Sequence, residues 1–399
     1  MPSLKDYQDI APPGRVDLLY RLAKQLKGKR LLHVNSTRTG GGVAEILLHL
    51  IPLLQDLGLA VRWEVMQGSE PFYDAVRCFH NGLQGEDVRV PDGLTEAYIE
   101  GTRENAMRLD LDAEVVITHD PHPLALIEAA PTDSRWIWRC YLDISRPSRR
   151  VWNLLRPYVA KYDAAVYSLP QFAQPLAVPQ FLVYPSIDPL SDKNRDLTEV
   201  EIDAQLAELK VPRDKPILLQ VSRFNHFKDP LGVLAAYRLV KTHFDCRLVI
   251  AGGIPSDDPD DQQILAVVRD AAEKDADVHV LLLEPGSNLQ INALQRAATI
   301  VIQKSVREGF GLTVTEAMWK GKPVIGGETG GITLQILYGQ TGYTVNSVEG
   351  LAFYVRYLLN NPSIAEEMGR RGRERVRQNF LVTRHVEDYL SLMTLMTRA

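Results

Sequence analysis

Residues 304–318 of this chain read KSVREGFGLTVTEAM, and they indicate a strand, a loop and a helix in succession. Ile300 to Gln303 is predicted to be a buried strand, and Thr313 to Lys320 contains helix-forming residues after a Thr-x-x-Glu start signal. A loop at the carboxyl end of a parallel strand is where open α/β sheets bind ligands, and the first N–H groups of the next helix can bind an anion. The stretch therefore predicts an α/β fold with an anion site beside Glu308.

Length and composition predict a globular protein of two domains. The chain has 399 residues, more than the about 250–300 that one core usually holds. No apolar run approaches the about 20 residues of a membrane span. A net charge of −5 argues against a general nucleic-acid-binding protein. We therefore expect neither a membrane nor a nucleic-acid partner.

The N-terminus and the cysteines indicate a reducing compartment. The first residues, MPSLKDY, lack the basic and then apolar pattern of a secretion signal, and the three cysteines are scattered without metal-ligand spacing. His119, Asp120 and His122 match no zinc pattern either, so a structural or substrate-contacting role is the better interpretation. We expect a cytoplasmic protein with no bound metal.

Two runs of alternating strands and helices predict two Rossmann-like domains, each with a doubly wound parallel sheet. Pro179 to Leu197 is rich in proline and polar residues and is predicted to link them. We expect domains at residues 1–185 and 186–379, with a C-terminal helix at residues 380–399 that could pack back on the first domain.

Glycines and cations follow strands in both halves. Gly40, Gly41 and Gly42 stand between a predicted strand and a predicted helix, where a backbone without Cβ atoms can approach an anion or a sugar; a plain tight turn is the alternative. Arg223 and Lys228 follow a strand in the same half as Glu308, so they can converge on one phosphate, although loop cations are often only solvated charges. The acidic residues 257–261 are predicted to be solvated surface.

Cations, helix-start N–H groups and a glutamate suit transfer of a group from a nucleotide. Negative charge grows on a diphosphate as its bond to a sugar breaks, so fixed cations stabilise the transition state more than the ground state. The sequence contains no Gly-x-x-x-x-Gly-Lys-Ser/Thr phosphate loop and no paired aspartates for a divalent ion, which disfavours kinases and metal-dependent transferases. Neither glycine loop has the pattern of a nicotinamide-binding site.

The spacing of two acids carries a family resemblance. Glu308 to Glu316 matches the Glu-x7-Glu motif of retaining glycosyltransferases of the GT-B fold, and Arg223-x4-Lys228 resembles the diphosphate-binding pair of that family. Nearly the whole chain resembles the trehalose glycosyltransferring synthases. The segments that carry this resemblance are residues 35–37, 40–45, 79–85, 138–140, 185–191 and 307–326. It implies a GT-B fold with two Rossmann-like domains facing a cleft.

The resemblance also implies a reaction. Glucose would pass from a nucleoside diphosphate glucose (ADP-, UDP- or GDP-glucose) to free glucose, giving α,α-trehalose reversibly, with retention and without a required cofactor or metal. The chain could form a homodimer. The preferred base and the dominant direction stay open. The alternatives are a retaining trehalose phosphorylase and a catalytically weak sugar-nucleotide-binding regulatory protein.

Roles for single residues follow from the same resemblance. Arg223 and Lys228 would neutralise the diphosphate, Glu308 would contact the donor sugar beside the reacting carbon, and Glu316 would bind the ribose. The glycine loop of the first domain would close on the donor from across the cleft; its residues are Gly40, Gly41 and Gly42. The donor would also contact the loop and helix start that follow Glu308: Gly309, Phe310, Gly311, Leu312 and Thr313. Weaker candidates for the acceptor sugar are Glu45, His119, Asp120, Arg139, Tyr141 and Asp143.

Two positions carry alternatives. The family pattern has Trp-Arg-Cys-His where this chain has Trp138-Arg139-Cys140-Tyr141, and a phenol with a pKa of about 10 cannot supply the cationic help of a histidine. The strand predicted there, Trp136 to Asp143, could also hold only an internal Arg–Asp pair. Glu316 has an alternative too, because Thr313-x-x-Glu316 would form a capping box if its carboxylate turned back to the first turn of the helix.

Overall fold

The computed structural model describes residues 2–253 and 259–398. The chain divides into two compact units, Met1–Ser186 with Val382–Ala399, and Ile187–Leu381. Each unit contains a six-stranded sheet whose neighbouring strands all run parallel. The predicted α/β class with two doubly wound parallel sheets is confirmed.

The first unit alternates strands with helices over residues 15–182. Its strands are β1 Arg30–Asn35, β2 Ala60–Val65, β3 Val115–His119, β4 Arg135–Cys140, β5 Ala164–Tyr167 and β6 Gln180–Leu182. Its helices in this range are α1 Arg15–Ala23, α2 Gly42–Asp56, α3 Glu70–Leu83, α4 Leu94–Arg108 and α5 Arg149–Val159. The strand order is β2-β1-β3-β4-β5-β6.

Burial on both faces explains the composition of these strands. Trp136, Ile137 and Trp138 of β4 are at most 1% exposed, as expected for a parallel strand covered by helices on both sides. β4 ends at Cys140, so the predicted strand to Asp143 is too long and Tyr141 begins a loop. The segment predicted as a linker contains β6, which pairs with β5.

The second unit repeats the alternation. Its strands are β7 Ile217–Val221, β8 Arg247–Gly252, β9 Val278–Leu282, β10 Ile300–Gln303, β11 Val324–Gly327 and β12 Gly342–Val345. Its helices are α6 Glu199–Glu208, α7 Pro230–Lys241, α8 Pro259–Ala272, α9 Asn288–Ala297, α10 Leu312–Trp319, α11 Gly330–Gln335, α12 Val348–Asn360 and α13 Pro362–Asn379. The strand order β12-β11-β10-β7-β8-β9 makes β7 and β10 neighbours.

Local signals fix two helix starts of this unit. Thr198 and Glu201 form a reciprocal capping box at the start of α6. Asp229 adopts a left-handed conformation (φ 48°) and its side chain accepts a hydrogen bond from Gly232 N, with Pro230 as the first residue of α7.

A last helix, α14 Val382–Arg398, belongs to the first unit and packs on α1 and α2. Tyr389 and Leu390 on this helix are buried. Within the ranges given above, no helix combines the length and the apolar character needed to cross a membrane.

Candidate functional site

The predicted lysine and glutamate meet at the switch point of the second sheet. The connections from β7 and β10 leave in opposite directions along the sheet, and such a point opens a crevice at the carboxyl ends of the two strands. Lys228 ends a short 3₁₀ turn after β7, and Glu308 lies in the loop after β10. Lys228 Nζ lies 2.6 Å from Glu308 Oε2. Topology therefore brings together two residues that are 80 positions apart.

The Glu308 carboxylate is held from within its own loop. Ser305 Oγ donates to Glu308 Oε2 at 3.0 Å, and Val306 N donates to Phe227 O at 2.8 Å, which joins the loops after β10 and β7. Only 9% of the Glu308 side chain is exposed. A carboxylate with so little solvent interacts more strongly with nearby charges and hydroxyls than one in water.

Arg223 has a buried counter-ion that sequence reasoning missed. Its Nε and Nη2 lie 2.9 and 2.7 Å from Asp261 Oδ2, and Asn225 Nδ2 donates to Asp261 Oδ1 at 2.9 Å. Asp261 is completely buried, so the prediction of solvated surface is wrong for this residue; residues 257 and 258 lie outside the described ranges. Because 46% of the Arg223 side chain is exposed, the guanidinium can still reach an anion.

The start of α10 offers backbone N–H groups beside Glu308. Gly311 is the N-cap, with φ 84°, and no side chain caps the first turn. Uncapped N–H groups and the helix dipole favour an anion here. Thr313 Oγ1 donates to Gln303 Oε1 at 3.2 Å, so the capping box of Thr313 with Glu316 is wrong.

Glu316 is buried within the second unit. Gln295 Nε2 donates to its Oε2 at 3.0 Å, and Lys193 Nζ lies 3.7 Å from its Oε1. Only 2% of the side chain is exposed. Its carboxylate therefore neither caps the helix nor touches Glu308, and the ribose-binding role stays a prediction.

A second glycine loop, residues 326–331, packs against the Glu308 loop. A Cβ on Gly330, whose φ is 45°, would lie 1.6 Å from Glu308 O, and one on Gly327 would lie 1.9 Å from Ser305 O. These backbones approach so closely that only glycine fits. The sequence shows that four glycines occur within six residues, but it does not show which loop they contact.

We expect Gly330→Ala to lower the free energy of unfolding by about 3 kcal/mol or more, since it combines backbone strain with a clash against the Glu308 backbone. Gly339→Ala is the matched control, because Gly339 also has a positive φ (72°) but a Cβ there meets nothing within 4 Å. The control should lose only about 1–2 kcal/mol. Denaturant unfolding of both variants measures the difference, and equal losses would contradict the close packing.

The glycines of the first unit follow β1, at the switch point between β1 and β3. Gly40 and Gly41 have φ 75° and 78°, a region that favours glycine, and both are exposed. Gly42 is the first residue of α2, and Glu45 lies in the first turn of that helix. The structure shows the conformation that glycine allows, and the contact with a donor stays a prediction.

His119 forms a buried pair that the sequence did not reveal. His119, the last residue of β3, has its Nε2 2.9 Å from Nδ1 of His33 in β1. Burial lowers the pKa of His33 to about 3 and that of His119 well below 6.5. A histidine between the apolar neighbours Leu32 and Val34 is the only sequence signal for this pair. Both rings are therefore neutral hydrogen-bonding groups at neutral pH.

Arg139 and Tyr141 pack face to face in the interior. Arg139 is completely buried, its Nη2 donates to Val183 O at 2.6 Å and to Ser168 Oγ at 3.2 Å, and its Cζ lies 4.1 Å from the Tyr141 ring centroid. The internal Arg–Asp pair considered for this strand is therefore wrong. The Tyr141 hydroxyl is buried, and its ring stacks on His119 at 5.8 Å. The Tyr141 hydroxyl is therefore not presented to solvent.

The two aspartates near this cluster bind backbone N–H groups. Asp120, in a left-handed conformation (φ 60°), accepts from Tyr141 N at 2.8 Å, and Asp143 accepts from Ser145 N at 3.0 Å. Burial raises the pKa of Asp120 to about 6. The acceptor-side roles of these residues stay predictions.

We expect stability to fall as the pH drops from 6.5 toward 3. Burial lowers the pKa of five histidines, which stay neutral in the folded chain but bind protons near pH 6.5 when unfolded: His33, His119, His122, His279 and His385. Their contribution to the free energy of unfolding is complete above pH 6.5 and is lost as the pH falls below this value. The carboxyls of Asp120 and Asp388, whose pKa values are raised by burial, act in the opposite direction but are only two groups.

The measurement is the Tm between pH 7.5 and 4.5. His122→Gln should make the decline shallower, whereas His243→Gln, on an exposed side chain, should leave it unchanged. A Tm that stays constant over this range would contradict the assignment of neutral buried histidines.

In residues 2–253 and 259–398, no group of three or more histidine, cysteine, aspartate or glutamate side chains is arranged to hold a metal ion.

Sequence comparisons with known proteins identify the family of this chain. The family model described as "Trehalose synthase, N-terminal domain" matches residues 33–174, and the one described as "Glycosyl transferases group 1" matches residues 201–375. The chain is 43% identical to a trehalose synthase of Pyrococcus horikoshii over 98% of its own length and 95% of that protein. It is 41% identical to a trehalose synthase of Rubrobacter xylanophilus, with coverage of 98% and 96%.

A solved structure shows the same fold. Sucrose-phosphate synthase from Thermosynechococcus elongatus superimposes with a TM-score of 0.74 at 17% identity, covering 93% of this chain and all (100%) of that chain. The two parallel-sheet units are thus those of the GT-B fold, as the family resemblance implied. The chain belongs to the trehalose synthase family of GT-B glycosyltransferases.

Proposed function

We propose that this chain transfers glucose from a nucleoside diphosphate glucose to the anomeric hydroxyl of free glucose, forming α,α-trehalose reversibly and with retention of configuration. The observation that carries the proposal is the 2.6 Å contact of Lys228 with Glu308 at the sheet switch point, beside the uncapped start of α10. A cation, an anion-binding helix start and a sheltered carboxylate are what a diphosphate joined to a sugar requires.

The cations act on the leaving group. As the bond between glucose and the diphosphate breaks, negative charge accumulates on the terminal phosphate oxygens. Lys228 Nζ would move from Glu308 to these oxygens, and the exposed guanidinium of Arg223, anchored by Asp261, would bind the same diphosphate. Because both cations bind the diphosphate before its bond to glucose breaks, they stabilise the transition state without a further large rearrangement.

The carboxylate acts on the sugar. Glycosyl transfer passes through a transition state in which the anomeric carbon becomes cation-like. Glu308 would accept hydrogen bonds from sugar hydroxyls beside that carbon, and its negative charge favours the developing positive charge. Ser305 keeps the carboxylate in place when Lys228 turns to the diphosphate.

Backbone and side-chain groups around this centre complete the proposed donor site. Gly309, Phe310 and Gly311 form the loop, Leu312 and Thr313 supply helix-start N–H groups, and Glu316 is assigned to the ribose. In the first unit, the glycines are assigned to the donor, and the polar residues after the strands are assigned to the acceptor glucose: Gly40, Gly41, Gly42, Glu45, His119, Asp120, Arg139, Tyr141 and Asp143. No metal is required in this account.

Incubation with glucose and, in turn, ADP-, UDP- and GDP-glucose tests the proposal. We expect trehalose and free nucleoside diphosphate in equal amounts with at least one donor. A parallel incubation of the protein with trehalose and inorganic phosphate, without nucleotide, tests for a phosphorylase. We expect it to give no glucose 1-phosphate. Tight nucleotide binding without turnover of any donor would contradict the proposed transfer.

A further inference from the structure

Gln335, the last residue of α11, is completely buried beneath the Glu308 loop. Its Nε2 donates to Phe310 O at 2.6 Å and to Gly311 O at 3.3 Å, while its Oε1 accepts from Thr315 Oγ1 at 2.6 Å. One carboxamide thus joins the two residues that precede α10 to the first turns of that helix.

The backbone of Gln335 is itself anchored. Arg375 of α13 donates through Nε to Gln335 O at 2.7 Å, and its Cζ lies 5.7 Å from the Phe380 ring centroid. α11 begins at Gly330, which packs so closely on Glu308 that an added Cβ would lie 1.6 Å from Glu308 O. The carboxamide therefore approaches the Glu308 loop from a fixed position.

The direction of two peptide planes follows from these hydrogen bonds. In a trans peptide, the C=O of one residue and the N–H of the next point in opposite directions. Because Gln335 Nε2 binds the carbonyls of Phe310 and Gly311, the N–H groups of Gly311 and Leu312 point away from Gln335.

We infer that Gln335 is a positioning residue that aims the Gly311 and Leu312 N–H groups at the diphosphate of the donor. This inference rests on the proposed function, since it assigns that diphosphate to the start of α10. Gln335 touches no substrate; it acts through the loop. A carboxamide suits the position because it donates to two carbonyls and accepts from one hydroxyl at the same time.

Gln335→Glu tests the inference with a side chain of nearly the same shape. An ionised carboxylate has no hydrogen to donate and would face the two carbonyl oxygens, so the peptide planes should turn. We expect kcat at pH 8 to fall about 10–100-fold, because small misplacements of catalytic groups have effects of this size. The KM for the donor should change less than about threefold, since the cations still bind it.

A pH profile separates positioning from general damage. Burial raises the pKa of a carboxyl group, and the protonated form could again donate to Phe310 O. The kcat of Gln335→Glu, relative to the unchanged protein, should therefore rise as the pH falls from 8 to 6. Thr315→Val removes only the donor to Gln335 Oε1, and we expect it to lower kcat about 3–10-fold. In the double variant with Gln335→Glu, the two losses of kcat should not add.

Hydrogen exchange of the ligand-free protein gives a readout that does not depend on turnover. Val314 N donates to Gly311 O at 3.0 Å, so the first hydrogen bonds of α10 depend on the carbonyls of this loop. Amides of residues 314–316 should exchange faster in Gln335→Glu, and to a smaller extent in Thr315→Val, with the amides of the parallel strands unaffected. If the unchanged protein makes no trehalose, the proposed function fails, while this measurement still tests whether the hydrogen bonds of Gln335 hold the loop. Exchange equal to that of the unchanged protein in both variants, or a kcat within twofold of it and independent of pH, would overturn the inference. If Gln335→Glu does not fold, the exchange in Thr315→Val decides.

Discussion

Lys228→Met is expected to lower kcat/KM for nucleoside diphosphate glucose by about 10²–10³-fold, the range seen when one preorganised group that stabilises a developing oxyanion is removed. Methionine keeps the apolar length of the side chain but not its charge. The affinity for the free nucleoside diphosphate should fall as well, because the lysine binds the diphosphate in the ground state too. Steady-state kinetics and calorimetric titration measure the two effects separately.

Lys161→Met is the matched control for this loss. Lys161 also lies 2.6 Å from a glutamate, Glu128, but half of each side chain is exposed and the pair is in the first unit. Exposed ion pairs contribute about 0–1 kcal/mol to stability, so the control should keep its activity and most of its stability. Turnover by Lys228→Met within tenfold of the unchanged protein would show that this lysine does not face the leaving group.

Glu308→Gln should separate chemistry from nucleotide binding. A hydrogen bond to a charged acceptor contributes about 1.5–3 kcal/mol, so replacing the Glu308 carboxylate by a neutral amide should lower kcat about 10–100-fold. The affinity for the nucleoside diphosphate should stay equal or rise, because Lys228 loses the carboxylate that competes with the diphosphate. Of the two variants, only Lys228→Met should therefore weaken nucleotide binding.

Glu114→Gln provides the control for the loss of a carboxylate. Glu114 lies 2.6 Å from Lys29 at a partly exposed site of the first unit. Its replacement should leave both kcat and nucleotide affinity unchanged. A Glu308→Gln variant with unaltered kcat and weakened nucleotide binding would reverse the roles that we assign to Glu308 and Lys228.

Sequence periodicity was sufficient for the fold and for the proximity of Lys228 to Glu308. The buried strands, the glycine loop and the spacing of Glu308, Arg223 and Lys228 predicted two parallel sheets and a meeting point of three charged residues near one sheet edge. The structure confirms the sheets and brings Lys228 to Glu308. Local pattern succeeds here because parallel strands place their carboxyl ends along one edge whatever lies between them.

The supporting residues could not be predicted, because their partners are distant in sequence. Asp261 meets Arg223 from 38 positions away, and Gln335 meets Phe310 from 25 positions away. Each is a polar residue in a helix whose sequence suits either solvent or the interior, and only tertiary packing decides. The same reason explains why the alternative of a local cap for Glu316, suggested by Thr313, is wrong: Gln295 and Lys193 hold the carboxylate.

The most direct test of the central claim uses a nucleoside diphosphate glucose labelled with ¹³C at carbon 1 of the sugar, unlabelled glucose and the unchanged protein. The product is followed by NMR. Our account predicts one labelled anomeric carbon in α,α-trehalose, with the label in the α configuration and release of an equal amount of nucleoside diphosphate. A labelled β-linked carbon, or labelled free glucose with no disaccharide, would contradict it.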